Sequence, residues 1–159
     1  ILSEAKLQGA KLQGAKLMEA NLRGANLQRA DLRIADLTEA NLLHVDLRET
    51  SLLLANLYKA KLYKANLRGA RLLEANLRGA NLYSADLRGA YLHSADLRGA
   101  NLYSADLRGV DMQETYLEGA DLRKAKLDDA IFPGGSEWNT EMDLNRFTDP
   151  THPNFWQRA

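Results

Sequence analysis

Leucine stands at residue 2 and at every fifth position after it up to 127, with Met112 the one exception among 26 places. A period of five suits neither regular backbone. On an α-helix each residue turns about 100°, so five residues move successive leucines by roughly 140° and spread them round the cylinder. On a continuous strand side chains alternate with period two, so an odd spacing throws each leucine to the opposite face. The spacing works when each unit is a short extended piece followed by a corner that resets the alternation.

The other columns agree with that plan. Two residues before each Leu, from 5 to 125, stands Ala, except at Val45, Thr50, Val110 and Thr115. Ala and Leu then both point inward, and the residue between them points out. That outward place holds Asn or Asp in 16 of 27 units. Two variable residues follow Leu and make the bend. All nine glycines before residue 130 occupy the second of these, where a tight turn favours positive φ. The four larger residues in the Ala column predict that the wall bows locally.

The tandem A-[N/D]-L-x-x unit over 1–132 resembles the pentapeptide-repeat family. The resemblance implies an all-β fold, a right-handed, four-sided β-helix solenoid of about six and a half coils with 20 residues each. Leu and Ala would fill its interior, and backbone bonds would link successive coils. At roughly 4.8 Å per coil the rod is about 30 Å long.

Composition changes after Ala130, where all three Phe, both Trp and all three Pro are found. An open solenoid end leaves apolar side chains and backbone groups unpaired. The tail, 133–159, is therefore expected to cap the last coil through Trp138, Phe147, Phe155 and Trp156. The opposite end, at Ile1, Leu2 and Leu7, is expected to be bare. One or two helical turns are expected over 140–147 with Thr140 as N-cap, and 149–153 should be extended or turn-like.

Residues 20 apart stack, so the exterior can be sorted into faces. Face 1 carries Arg23, Leu43, Tyr63, Tyr83, Tyr103 and Arg123, with the tyrosines spaced for ring contact. Face 2 carries a charged ladder, Arg48, Arg68, Arg88 and Arg108, flanked by Asp46, Asn66, Asp86 and Asp106. A solvated, self-neutralised face is its simpler account, and binding of an anionic partner the sharper one. Face 3 carries Ile34, Leu53, Leu54 and Leu73, with Tyr91 and His93 further along. Face 4 carries Thr38, Tyr58, Arg78 and Arg98. Scattered exposed leucines are ordinary, but a contiguous group marks a contact site. Ile34, Leu53, Leu54 and Leu73, with Tyr58 around the corner, form the candidate interaction surface.

The chain has 21 basic and 21 acidic residues and no Cys. Without Cys there is no disulfide framework, thiol nucleophile or cysteine-ligated metal. Zero net charge argues against nucleic-acid binding. No apolar run reaches membrane-spanning length. His44, His93 and His152 do not converge, and no nucleophile–base pair is apparent. No catalytic residue, cofactor or metal is expected. The reading is a non-catalytic protein-interaction scaffold whose protein partner is unidentified.

The resemblance also carries an alternative, the DNA-mimicking members that modulate type II topoisomerases. Those have strongly acidic surfaces and central Phe, whereas here Leu is central and residues 1–130 hold 19 basic against 17 acidic groups. The Leu-centred pattern is more similar to cyanobacterial members. In these, repeat domains often end longer chains, some with membrane-spanning N-terminal parts, and one is needed for the heterocyst glycolipid layer. The chain starts in mid-repeat and without Met. It therefore reads as the C-terminal repeat domain of a longer protein, cytoplasmic or tethered to a membrane through a missing N-terminal region.

Overall fold

The computed structural model describes residues 2–157. Its sequence period is also its pairing period. Each residue of the Asn/Asp column forms a parallel bridge with the residue 20 positions on, from Lys6–Asn26 to Asp111–Ile131. Around residue 22 the bonding is explicit. Leu22 N–H donates to Asn41 O (2.8 Å), Gly24 N–H to Leu43 O (2.9 Å), and Asn41 N–H to Ala20 O (2.9 Å). A fourth bond, Ala25 N–H to Leu22 O (3.0 Å), closes the corner. The corner recurs every five residues, so four turns separate each bridged pair. This is a β-helix-like solenoid, and its backbone polar groups are paired mainly between coils.

The residue before each Ala has φ of about +50° to +70°, as the third position of a type II turn requires. Glycine is favoured there but not demanded, because 17 non-glycine residues adopt the same conformation. The left-handed region costs an L-residue roughly 1–2 kcal/mol. Bonds to neighbouring coils hold the corner in place against that cost.

The core is the two inward columns. From Leu22 to Leu107 every Leu and Ala of these columns is fully buried. Thr50 and Thr115 are buried too, and their hydroxyls donate to Leu27 O and Leu92 O, both at 2.8 Å. The larger residues do stretch the corner. The closing bond is 3.3 Å at Val45, 3.2 Å at Thr50 and Val110 and 3.1 Å at Thr115, against 2.8–3.0 Å at the buried Ala positions from Ala25 to Ala120. The coil above stays attached, since Asn66 N–H to Val45 O and Arg71 N–H to Thr50 O are both 2.9 Å.

The two ends differ. Leu2 is 37% exposed and Leu7, Leu12 and Leu17 are half-buried, while Ile1 lies outside the described residues. At the other end Leu117, Leu122, Leu127 and Phe132 are buried. Phe147 is buried against Phe132 (ring centroids 5.2 Å apart), and Trp138 lies 5.9 Å from the same ring. Trp156 packs on this cluster, joined by Met142 and Leu144; Phe155 is half-buried and stands apart from it. Trp138 N–H donates to Ala130 O (2.8 Å) and Gly119 N–H to Thr148 O (2.6 Å), tying the tail to the last coil. Gly134, at φ +89°, would strain any other residue, and a Cβ there would stand a tight 3.0 Å from Trp156 Nε1.

The tail helix departs from the sequence expectation. It is α1 (Asn145–Thr148), not 140–147, and Leu144 rather than Thr140 precedes it. Asn139 and Asp143 side chains accept the Glu141 and Asn145 N–H groups at 3.1 and 3.0 Å. Such Asx turns compete with helix, and they postpone its start. The 149–153 stretch is turn-like as expected, with His152 N–H on Asp149 O (3.0 Å).

Candidate interaction surface

The outward Asn/Asp column has a task the repeat pattern alone does not reveal. In all 16 units with Asn or Asp, the side-chain oxygen accepts the backbone N–H two residues on, at 2.9–3.4 Å. That N–H belongs to the first turn residue and has no partner in the next coil. The known preference of Asn and Asp for bonding their own chain two residues on was the signal available in the sequence.

Where Asp, Leu and Arg follow one another, the carboxylate also takes the Arg side chain. Six such pairs form: Asp31–Arg33, Asp46–Arg48, Asp86–Arg88, Asp96–Arg98, Asp106–Arg108 and Asp121–Arg123. The Arg48 and Arg108 guanidinium groups hold Asp46 and Asp106 below the usual carboxylate range. Partial burial pushes Asp86 upward, but its bonds to Arg88 outweigh that and its pKa also falls below the ordinary value. The charged ladder of face 2 is thus three closed pairs, Arg48, Arg88 and Arg108, and one Arg, Arg68, set beside neutral Asn66. Arg88 reaches Asp106 of the next coil as well, at 3.6 Å.

Face 1 is an aromatic stack. Tyr63, Tyr83 and Tyr103 have centroids 5.5 and 5.4 Å apart and near-parallel rings. His44 meets Tyr63 edge-on at one end, and Arg123 and Lys124 sit over Tyr103 at the other. The ring faces are occupied by one another, which leaves their edges to solvent.

Face 3 carries three of the five exposed large apolar side chains among the described residues. Ile34 is 57% exposed, Leu54 48% and Tyr91 52%. Leu53 and Leu73 are half-buried and line one shallow groove with Arg29, Arg33, Ser51 and Arg71. Tyr58 is half-buried outside that groove, with Lys59 over its ring. Ile34 and Leu54 occupy the positive-φ corner, at 59° and 57°. A β-branched residue in that region is a genuine outlier. Ile34 therefore combines backbone strain with an apolar side chain left in water. Among the described residues no group of three or more His, Asp or Glu is placed to hold a metal ion. Among the same residues no helix is long and apolar enough to cross a membrane.

A family profile described as pentapeptide repeats matches in eight copies, over residues 1–38, 35–73, 60–99, 75–113 and 100–134. The chain belongs to the pentapeptide-repeat family. Among solved structures it is similar to HetL, a pentapeptide repeat protein involved in heterocyst differentiation regulation in the cyanobacterium Nostoc sp. strain PCC 7120. The two share 36% identity over 86% of this chain and 76% of that one, with a TM-score of 0.37. A second pentapeptide repeat protein from Nostoc PCC 7120, alr5209, shares 32% identity over 57% of this chain and 79% of its own, with a TM-score of 0.51. Full-length QnrB1, a plasmid-mediated fluoroquinolone resistance protein, shares 26% identity over 80% of this chain and 67% of its own, with a TM-score of 0.51. No curated protein sequence matches the chain.

Proposed function

We propose that this pentapeptide-repeat chain is a non-catalytic, protein-binding scaffold. Its frame is a right-handed, four-sided β-helix of about six and a half coils over 1–132, with 133–159 as a C-terminal cap. The partner docks on face 3, at Ile34, Leu53, Leu54 and Leu73, with Tyr58 at the edge of the footprint. The observation that carries this reading is the pair of outward, strained, apolar corners at Ile34 and Leu54 on a rod whose interior is already filled. These side chains add nothing to the core. Burial against a partner recovers about 25 cal/mol per Å² of apolar area.

The face 2 ladder has a lesser part. Its Arg groups are mostly paired within their own repeat, so they tune association rate and salt dependence more than affinity. The same pairing argues against DNA mimicry, since the exterior has no anionic excess. The test is affinity capture from an extract of the source cells, with Leu53→Glu/Leu73→Glu compared with Arg68→Glu/Arg88→Glu. Both variants are first checked for native circular dichroism. Capture should be lost with the leucine pair and kept with the arginine pair. Loss confined to the arginine pair would move the site to face 2.

A further inference from the structure

The Asn/Asp row on face 3 has a gap that none of the other faces shares. Its ends are regular: Asp31 accepts Arg33 N–H at 3.2 Å, and Asp111 accepts Gln113 N–H at 2.9 Å. Between them the row reads Ser51, Arg71 and Tyr91. In those three coils the first turn residue, Leu53, Leu73 and His93 in turn, has an N–H with no acceptor among the described residues. Elsewhere the row is broken only singly, as at Lys61 before Tyr63, with regular Asn41 and Asn81 on either side. Among the described residues no other face has two successive vacancies.

The gap coincides with the apolar wall, and it contains a cation. Arg71 lies in the groove beside Leu53 and Leu73 and has no ion-pair partner among the described residues. The other cations at this groove are already engaged, Arg33 with Asp31 (2.7 Å) and Arg29 with Glu49 (2.9 Å). The missing groups are thus carboxylate or amide oxygens, and the charge left unbalanced in the groove is positive. Glu74, at the exposed corner after Leu73, has no ion-pair partner among the described residues.

We infer that face 3 receives an acidic, apolar protein segment, whose Asp or Glu carboxylates take the acceptor places vacated at Ser51 and Arg71. A carboxylate bonded to the Leu53 or Leu73 N–H restores the turn contact that Asn and Asp make elsewhere and pairs with Arg71. Charge-assisted bonds of this kind are stronger than neutral ones. The same segment supplies apolar side chains to cover Ile34, Leu53, Leu54 and Leu73, which a phosphate or nucleic-acid backbone would not. This rests on the docking wall proposed above and adds the chemistry of its partner.

The test uses the whole chain and two fluorescein-labelled peptides, one alternating Asp and Leu and one alternating Asn and Leu. Fluorescence anisotropy should give an affinity at least about tenfold higher for the Asp peptide. On its addition the Leu53 and Leu73 amide resonances should shift, while that of Tyr63, an isolated vacancy on face 1, should not. Ser51→Asn/Arg71→Asn gives the wall its own acceptors. This variant should fold at least as stably as the parent and bind the Asp peptide at least about tenfold more weakly. Glu74→Gln should strengthen binding. Equal binding of both peptides, or full binding by the Asn double variant, overturns the acidic reading and leaves the apolar wall standing. Binding of neither peptide also overturns it. The docking wall itself is judged separately, by whether Leu53→Glu/Leu73→Glu loses the cellular partner.

Discussion

Replacing Leu67 by Ala tests the inward assignment at the point where the rod can yield least. Leu67 is fully buried, and so are Leu47 and Leu87, its equivalents one coil away on either side. Its own N–H is held by Asp86 O at 2.7 Å, and the neighbouring Leu47 N–H is held by Asn66 O at 2.7 Å. The wall cannot move inward to refill the space without breaking bonds to coils on both sides. The substitution therefore belongs in the upper part of the range for buried Leu→Ala changes, about 3–5 kcal/mol. With a urea slope of about 2 kcal/mol per molar, the unfolding midpoint should fall by about 1.5–2.5 M. Arg68→Ala, one residue on, removes an exposed side chain beside Asn66 and should change stability by less than about 1 kcal/mol. Urea unfolding followed by far-ultraviolet circular dichroism on both variants is the assay. A Leu67→Ala midpoint within 0.5 M of the parent (about 1 kcal/mol at that slope), or one above that of Arg68→Ala, would refute the packing argument.

Two further outcomes are expected. Asp46, Asp86 and Asp106 have lowered pKa values in the fold, so their contribution is complete above the unfolded carboxylate value of about 3.9 and is lost as pH falls through the lower, folded values. Asp46→Asn/Asp86→Asn/Asp106→Asn keeps the turn bond and removes the Arg pair, so the variant should lose less stability than the parent between neutral pH and pH of about 3, measured by urea midpoints. Deleting 133–159 uncovers Leu122, Leu127 and Phe132, and should lower stability and promote self-association in sedimentation velocity; a monomeric truncation with unchanged stability would mean that the tail is no cap.

The frame was legible in the sequence because every coil repeats the same demand. A leucine each five residues excludes helix and continuous strand, and the Ala column fixes how closely opposite walls approach. The surface was legible in position but not in bonding. Asp and Asn look interchangeable in the repeat, yet Asp followed by Leu and Arg closes an ion pair, while Asn in the same place leaves its Arg open, as at Arg68. The tail was the least legible part. Its order comes from single contacts, such as Met142 and Leu144 on the core and Asn139 and Asp143 bonding locally, which no periodicity announces. Residue type points to Phe155 as well as to Phe147 and Trp138, but type alone does not say which ring reaches Phe132.

A solenoid with a uniform interior can carry a specific site only through exceptions to its repeat, and each exception has a stability cost. On face 2 there are few: the ladder obeys the acceptor rule at Asp46, Asn66, Asp86 and Asp106. On face 3 three kinds of exception overlap within neighbouring coils, two of them at Ile34. Apolar side chains stand outward at Ile34 and Leu54, a β-branched residue occupies the left-handed corner, and three successive acceptors are missing at Ser51, Arg71 and Tyr91. Any one of these is tolerable in a chain this repetitive. Their overlap on one wall is what a binding surface would require, since a single partner segment can offset all three costs together. Ser51→Asn/Arg71→Asn restores two of the acceptors and removes the unpaired cation, so it separates the cost carried for stability from the cost carried for binding. If the wall is functional, the restored chain is the more stable and the less competent of the two.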